Sequence, residues 1–444
     1  MENTENSKKV SGFSKLSKRG KLIWIVNNFF KDPEHVMKEL VSYWHSNEDE
    51  QKIIDGMSEN TISNFILPYS VAPNFVINQR EYAIPLVTEE SSVVAAASNA
   101  AKFWSERGGF HATVTETIKE GSIYFLWKGD FAPLIAKQAE LLRLIRDGCK
   151  DLTERMDQRG GGILGIELID MSDREPDYFK LNILFNTCDS MGANFINSVL
   201  EKAAPILESW IPTPETFELI MCILSNYTPR CLVAASVSCP IKDLGVVNGL
   251  EAEDFAFRFY KAVRIAQVDP SRATTHNKGI FNGIDGVVIA TGNDFRAIEA
   301  CGHAYAARNG SYSSLSMCKI EDGIFTFRLE IPLAVGTIGG LTKLHPIARR
   351  SLELLGNPSA KELMMIIATT GLAQNFAAVK SLVTTGIQKG HMRMHLQNIA
   401  WQLHATESES AQITSYFRDK MISYSAVADY LNSLRNNIAK IPPA

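Results

Sequence analysis

The chain has 444 residues, long enough for two or three domains with a sizeable buried core. Hydrophobic residues make up 45% and charged residues 21%, which excludes a largely disordered chain. Its 45 basic and 49 acidic residues leave a net charge of −4, no electrostatic footprint for nucleic acid or an anionic membrane.

The N-terminal stretch MENTENSKKVSGFSKLSKRGK lacks the apolar core of a signal peptide. No apolar run reaches the roughly 18 residues of a membrane span, so no membrane partner and a cytoplasmic home are expected. The seven cysteines contain no Cys-x-x-Cys pair and point neither to a disulfide framework nor to structural zinc. His391 and His395 have the i, i+4 spacing of helical metal ligands, but no glutamate adjoins His391 and no metal is expected.

Residues 61–87 alternate around Pro68, Pro73 and Pro85 and predict short strands and turns. VVAAASNAAKFWSERGGF predicts a helix ended by Gly108 and Gly109. From His111 to about Asn226 the pattern changes. HATVTET and SIYFLWK read as strand material, and FAPLIAKQAELLRLIRDGCKDL as an amphipathic helix. ILGIELIDM and YFKLNILFN read as strands about a polar turn, GANFINSVLEKAAPILESW as a helix, and FELIMCILSN as a strand. The order β-α-β-β-α-β predicts an inserted ferredoxin-like unit. The fold class is therefore α+β. A large mixed domain spans residues 1–110 and 229–387, the small domain 111–228, and a helical C-terminal flap 388–444.

GGGILG, Gly160 to Gly165, formally matches G-x-G-x-x-G, but it follows a helix and precedes a strand, the wrong context for a dinucleotide fingerprint. It reads as a glycine turn. CDSMGAN, Cys188 to Asn194, follows a strand and opens a helix, where backbone N–H groups favour a phosphate. Asp189 there either bonds a ribose hydroxyl or caps the helix. TEESS, Thr88 to Ser92, sets two carboxylates before a helix, either for the helix dipole or, for one of them, as an acid. RATTHNKGIFNGID, Arg272 to Asp285, reads as a polar loop with Lys278 on a turn, and Arg272 suits bidentate capture of a carboxylate. Asp294 of TGND stands at a helix start. A lysine between carboxylates would stabilise an oxyanion. GHMRMH places His391 at the opening of the tail, where a movable histidine would serve as a general acid.

These blocks together resemble the hydroxymethylglutaryl-CoA reductase family, in its soluble class II form. The resemblance rests on ENTISNFILPYSVAPNFVIN, PLVTEESSVVAAASNAAK, CDSMGANFIN, ILSN, RATTHNKGIFNGID, VIATGNDFRAIEACGHAYAAR, VGTIGGLTKLHP and GLAQNFAAVKSLVTTGIQKGH, in family order from about residue 13 to 400. It implies reduction of 3-hydroxy-3-methylglutaryl-CoA to mevalonate and free coenzyme A with NADPH or NADH and no metal, or the reverse reaction. It implies a homodimer with a shared active site, or a hexamer of such dimers. Residue by residue, it makes Glu90 the proton donor, Lys278 the oxyanion stabiliser, Asp294 the bridge between them, and His391 the acid for the departing thiolate. Ser92, Arg272, Asn282 and Gln374 match positions around the acyl group. Asp189, Met191, Gly192 and Asn194 match the dinucleotide motif, and Asn226 another pocket position.

The chain departs from the family at Ser63, which replaces a glycine, and at Ser190, which replaces an alanine. Gly165 stands where relatives often carry an aspartate for the adenosine ribose. With Arg159 close by, NADPH is expected to be used at least as well as NADH. Ser14, beside Lys15, replaces an arginine used for coenzyme A. Two rivals are a nicotinamide-dependent reductase of a different acyl-CoA and a catalytically dead, ligand-binding homologue. Arg272 argues against the first, because it calls for a second carboxylate on the substrate.

Overall fold

The computed structural model describes residues 8–386, 396–418, 420 and 422–438. The N-terminal arm forms three short helices, α1 (Lys18–Phe29), α2 (Pro33–Ser42) and α3 (Glu48–Asp55). Each starts at a side-chain cap: Ser17, Asp32 and Asn47 accept N–H bonds from the first turns.

The chain then enters the large unit with the hairpin β1 (Tyr69–Ile77) and β2 (Arg80–Val87), followed by α4 (Val93–Ser105). Gly109, at φ 76, lets the chain pass tightly against β1. A Cβ there would stand 2.6 Å from the Val76 carbonyl oxygen. β3 (His111–Val114) follows, and it pairs with a strand far along the chain rather than with the inserted unit. The sequence boundary at His111 therefore falls one strand early: the inserted sheet starts at Lys119.

The inserted unit runs β4 (Lys119–Leu126), α5 (Ala132–Ala136), α6 (Gln138–Gly148), α7 (Lys150–Asp157), β5 (Gly162–Asp170), β6 (Tyr178–Asn186), α8 (Ala193–Trp210) and β7 (Glu218–Leu224). Its antiparallel sheet has the order β5-β6-β4-β7. The single helix expected from 131 to 152 is broken at Lys137 and Cys149. Ile123, Phe125, Leu181 and Ile183 from the sheet pack with Ile145, Val199, Leu200 and Leu207 from the helices, a core separate from that of the large unit.

The chain returns through β8 (Leu232–Pro240), α9 (Ala252–Val268), α10 (Pro270–Ala290), α11 (Phe295–Ala306), β9 (Ser316–Glu321), β10 (Ile324–Pro332), α12 (Gly340–Leu344), α13 (Pro346–Leu354) and α14 (Ala360–Val383). The second antiparallel sheet has the order β3-β8-β10-β9. α14 begins with a capping box between Ser359 and Glu362. It is long and apolar enough to cross a membrane by length and composition, which the sequence reading did not anticipate. In the fold, 83% of its most apolar window is buried, packed on α10 and α4. The tail gathers Leu396, Ile399, Ile413, Phe417, Val427 and Leu431 into a small cluster of its own.

α10 corrects the loop reading of Arg272–Asp285. Asp269 caps it by accepting from the N–H groups of Ser271 (2.9 Å) and Arg272 (3.3 Å), and Pro270 occupies the first turn. Ala273, His276, Ile280, Phe281, Ile284, Val287 and Val288 recur at helical spacing on its buried face. Arg272, Thr275, Lys278 and Asn282, among the polar residues that suggested a loop, occupy its other face.

Candidate active site

That polar face lines a cavity. Arg272, Thr275, Lys278 with its neighbour Gly279, and Asn282 follow one another at three- and four-residue steps along α10. Glu90 and Ser92 close one side from the β2–α4 connection, and Gln374 and Asn375 close another from α14. The space is about 250 Å³.

Lys278 Nζ donates to Glu90 Oε2 at 2.5 Å, the lysine side chain 59% exposed and the glutamate 38%. The backbone N–H of Glu90 donates to Thr88 Oγ1 at 3.1 Å, which sets the turn that presents the carboxylate. Ser92 has a φ of 75, a left-handed conformation rarely taken by a residue with a Cβ. Such departures gather at functional sites. Burial draws Arg272 below its ordinary value, opposed by the Asp269 charge. Gln374 Oε1 is buried and has no hydrogen-bond partner among the described residues, so it is an acceptor ready for a donor in the cavity.

His276 forms the floor. It is 2% exposed, and its Nε2 shares a hydrogen bond with Ser316 Oγ at 2.6 Å. Burial, then the Arg272 charge, push it down to about 3, so the ring is neutral at physiological pH. Ser316 Oγ also donates to Asn375 Oδ1 at 2.8 Å. His276 and Asn375 were not singled out by the sequence; their signal was buried spacing on two helices, which core residues share.

A second cavity, about 540 Å³, lies elsewhere on the same chain. Ser190, Met191, Gly192, Ala193 and Asn194 line it, facing Asn293, Asp294 and the glycine-rich stretch Gly336–Thr342. Gly192 has φ 90 and precedes α8 without any side-chain cap. A Cβ there would stand 2.4 Å from Thr187 Cγ2. The first N–H groups of α8 therefore open onto the cavity beside a residue that must lack a side chain, a cradle suited to a phosphate.

Asp189 does not cap that helix. Its Oδ1 accepts the Ala360 N–H at 2.7 Å, at the start of α14, and its carbonyl oxygen accepts the Thr337 N–H at 2.8 Å. Asn293, with Asp294 a candidate cap of the following helix in the sequence, leaves the cap to Asp294 and holds the facing loop by accepting the Gly336 N–H at 2.8 Å. Asn226 lies in a small separate pocket with Lys119, Met191, Thr228 and Cys301.

Within this chain Asp294 does not join the Lys278–Glu90 pair. Its Oδ1 accepts from Arg296 N and Ala297 N at the start of α11, and its Oδ2 pairs with Arg296 at 3.2 Å. It belongs to the wall of the second cavity. His391 lies outside the described residues. No group of three or more His, Cys, Asp or Glu able to hold a metal occurs among the described residues.

The family model described as hydroxymethylglutaryl-coenzyme A reductase matches residues 26–396. The chain belongs to the hydroxymethylglutaryl-CoA reductase family. The 3-hydroxy-3-methylglutaryl-coenzyme A reductase of Archaeoglobus fulgidus is 37% identical over 393 residues, 86% of this chain and 86% of that protein. A probable 3-hydroxy-3-methylglutaryl-coenzyme A reductase of Borreliella burgdorferi is 32% identical over 421 residues, 94% and 93% of the two chains. Among solved structures, the class II reductase of Streptococcus pneumoniae bound to NADPH in open conformations aligns with a TM-score of 0.70 and 38% identity. It covers 91% of this chain and 100% of that one.

Proposed function

We propose that the Lys278–Glu90 cavity is where this chain carries out the family's reaction, reduction of 3-hydroxy-3-methylglutaryl-CoA to mevalonate and free coenzyme A by two NADPH. In balance, one thioester, two NADPH and two protons give mevalonate, coenzyme A and two NADP⁺. The observation that carries the assignment is the 2.5 Å contact between Lys278 and Glu90 in a pocket that also holds Arg272 and Gln374.

The substrate is an anion at one end and a thioester at the other. Arg272 binds its carboxylate through a forked donor. Ser92, Asn282 and Gln374 bond its hydroxyl and carbonyl oxygens. Lys278 sits where negative charge grows on the thioester oxygen, and a fixed ammonium lowers that barrier most in a site closed to water. Glu90, held against the ammonium, delivers the proton that converts the oxyanion to a hydroxyl. His391 protonates the coenzyme A sulfur, since a bare thiolate leaves poorly.

The β-α-β-β-α-β unit, read as the ferredoxin-like cofactor domain, presents Asp189–Asn194 to the dinucleotide. NADPH bound there supplies the hydride. The opposite walls, Glu90–Lys278 in one cavity and Asp294 with the dinucleotide segment in another, favour a homodimer in which each site takes one wall from each copy. Asp294 of the second copy then completes the lysine's acidic surroundings. Gly165 and Arg159 favour NADPH over NADH: no carboxylate at position 165 repels a 2′-phosphate, and the Arg159 backbone packs against Cys188 beside the dinucleotide segment.

The test is a coupled measurement of NADPH consumed and thiol released on mixing with hydroxymethylglutaryl-CoA. Two NADPH per thiol supports the assignment. Turnover of acetyl-CoA at an equal rate would assign the chain to another acyl-CoA.

A further inference from the structure

Lys119 opens β4, and only 5% of it is exposed. Its Nζ donates to Thr187 Oγ1 at 2.7 Å and to the Ser190 carbonyl oxygen at 2.7 Å. Thr187 Oγ1 donates to the same oxygen at 2.6 Å, so ammonium, hydroxyl and carbonyl close a small ring under the turn. The turn leads through Met191 into Gly192 and the uncapped start of α8. Its outer side is held by Thr337, which donates to the Asp189 carbonyl oxygen.

Among the described residues no carboxylate is hydrogen-bonded to this cation. The charged and titratable groups that face it are Cys231, Cys188 and Asp189. Burial pushes the Cys231 thiol up to about 11, so it stays protonated. Asp189 is bonded to Ala360. Among the described residues no carboxylate forms an ion pair with Lys119. A cation enclosed without a directly paired counter-charge is costly, and burial draws Lys119 below its ordinary 10.5, only partly opposed by the Asp189 charge. The cost is offset when an anion settles at the far side of the turn, and by reciprocity the ammonium strengthens that anion's binding.

We propose that Lys119 is a positioning residue for the dinucleotide: its buried ammonium fixes the Thr187–Ser190 turn and sets a positive charge beneath the phosphates held at the start of α8. The inference rests on the assignment of Asp189–Asn194 to the cofactor. Its sequence signal was slight, one lysine at the head of an apolar strand.

Three measurements on the full chain test it, with NADPH as the probe. Lys119→Met raises the Kd and KM for NADPH on the order of tenfold, the usual loss for a charge-assisted hydrogen bond. The KM for hydroxymethylglutaryl-CoA stays within about twofold. Thr187→Val, which removes one acceptor and keeps the ammonium, has a smaller effect in the same direction. In the wild-type protein, which removes any question of misfolding, NADPH affinity weakens as pH rises through the lowered titration of Lys119, below its ordinary 10.5, and in Lys119→Met that slope is lost. A purely structural lysine would shift thermal stability and both KM values together and leave the slope. Unchanged NADPH affinity in a folded Lys119→Met, or an unchanged slope, overturns the inference. Hydrogen exchange separates the two layers. If NADPH protects residues 188–194 in both proteins while affinity is equal, Lys119 alone is misassigned. If those residues gain no protection, the cofactor assignment falls and takes the inference with it.

Discussion

Lys278 Nζ and Glu90 Oε2 stand 2.5 Å apart although 188 residues separate them in the chain. α10 carries the lysine and the β2–α4 connection carries the glutamate, and the two meet because α10 packs on β2 and α4 beside α14. The ammonium is the group most directly placed to meet charge on a carbonyl oxygen. Lys278→Met therefore lowers kcat by roughly 10²–10³, with little change in the KM for either substrate. Steady-state NADPH oxidation measures it, and circular dichroism checks that α10 remains folded.

In the proposed site Arg272 answers for the carboxylate end of the substrate. It is half-buried on the cavity wall, and its backbone N–H, not its guanidinium, is used by the Asp269 cap. Arg272→Ala raises the KM for hydroxymethylglutaryl-CoA roughly 10- to 100-fold, the range expected for one hydrogen-bonded charge, and leaves the NADPH KM in place. Initial rates over a matrix of both substrates show the split.

Asp269 caps α10 and is not among the residues lining the Lys278 cavity. Asp269→Ala leaves the Ser271 and Arg272 N–H groups without their side-chain acceptor and costs about 1 kcal/mol of stability. Urea denaturation reads the loss. Because the cap fixes the first turn, which carries Arg272, the hydroxymethylglutaryl-CoA KM rises with it, more gently than in Arg272→Ala.

The same helix shows where the sequence spoke and where it did not. The β-α-β-β-α-β order of the inserted segment was legible because its strands alternate and its helices are amphipathic. His111–Val114 was assigned to it wrongly, since a four-residue strand shows nothing of its partner. Arg272–Asp285 looked like a loop because Arg, Thr, His, Asn, Lys and Gly crowd one window. Arg272, Thr275, Lys278 and Asn282 mark the cavity face, while Ile280, Phe281, Ile284 and Val287 on the other side hold the helix in the core. Glu90, Lys278, Arg272, Asn282 and Gln374 were legible as a set through family motifs. That Glu90 and Lys278 touch, and that Asp294 faces another cavity, depends on tertiary packing. Asp189 was read as a ribose ligand or a local cap, but it accepts the Ala360 N–H, 171 residues away, a partner no local spacing announces.

Asp285, two turns beyond Lys278, gives a pH signature. Its carboxyl is pushed up from 3.8 to about 8, first by burial and then by the charge of Glu299, its hydrogen bond to Glu299 and the charge of Glu89. The folded protein thus holds a proton that the unfolded chain releases above 3.8. The contribution is fully present below 3.8 and is lost as pH rises through about 8. Urea midpoints of the wild-type protein therefore carry a component that falls across that window. Asp285→Asn, which keeps the shape and cannot ionise, removes it and is relatively more stable on the alkaline side.

The division of the site between two cavities is tested most directly by mixing two inactive variants. Lys278→Ala lacks the ammonium and Asp294→Ala lacks the carboxylate. If each site takes Lys278 from one copy and Asp294 from the other, a mixed dimer has one site missing both groups and one intact. Random pairing makes half of the dimers mixed, so unfolding and refolding the two together restores about a quarter of wild-type activity. No recovery from a mixture shown by mass spectrometry to contain mixed dimers would mean that both groups act within one chain, and the shared-site account would be wrong.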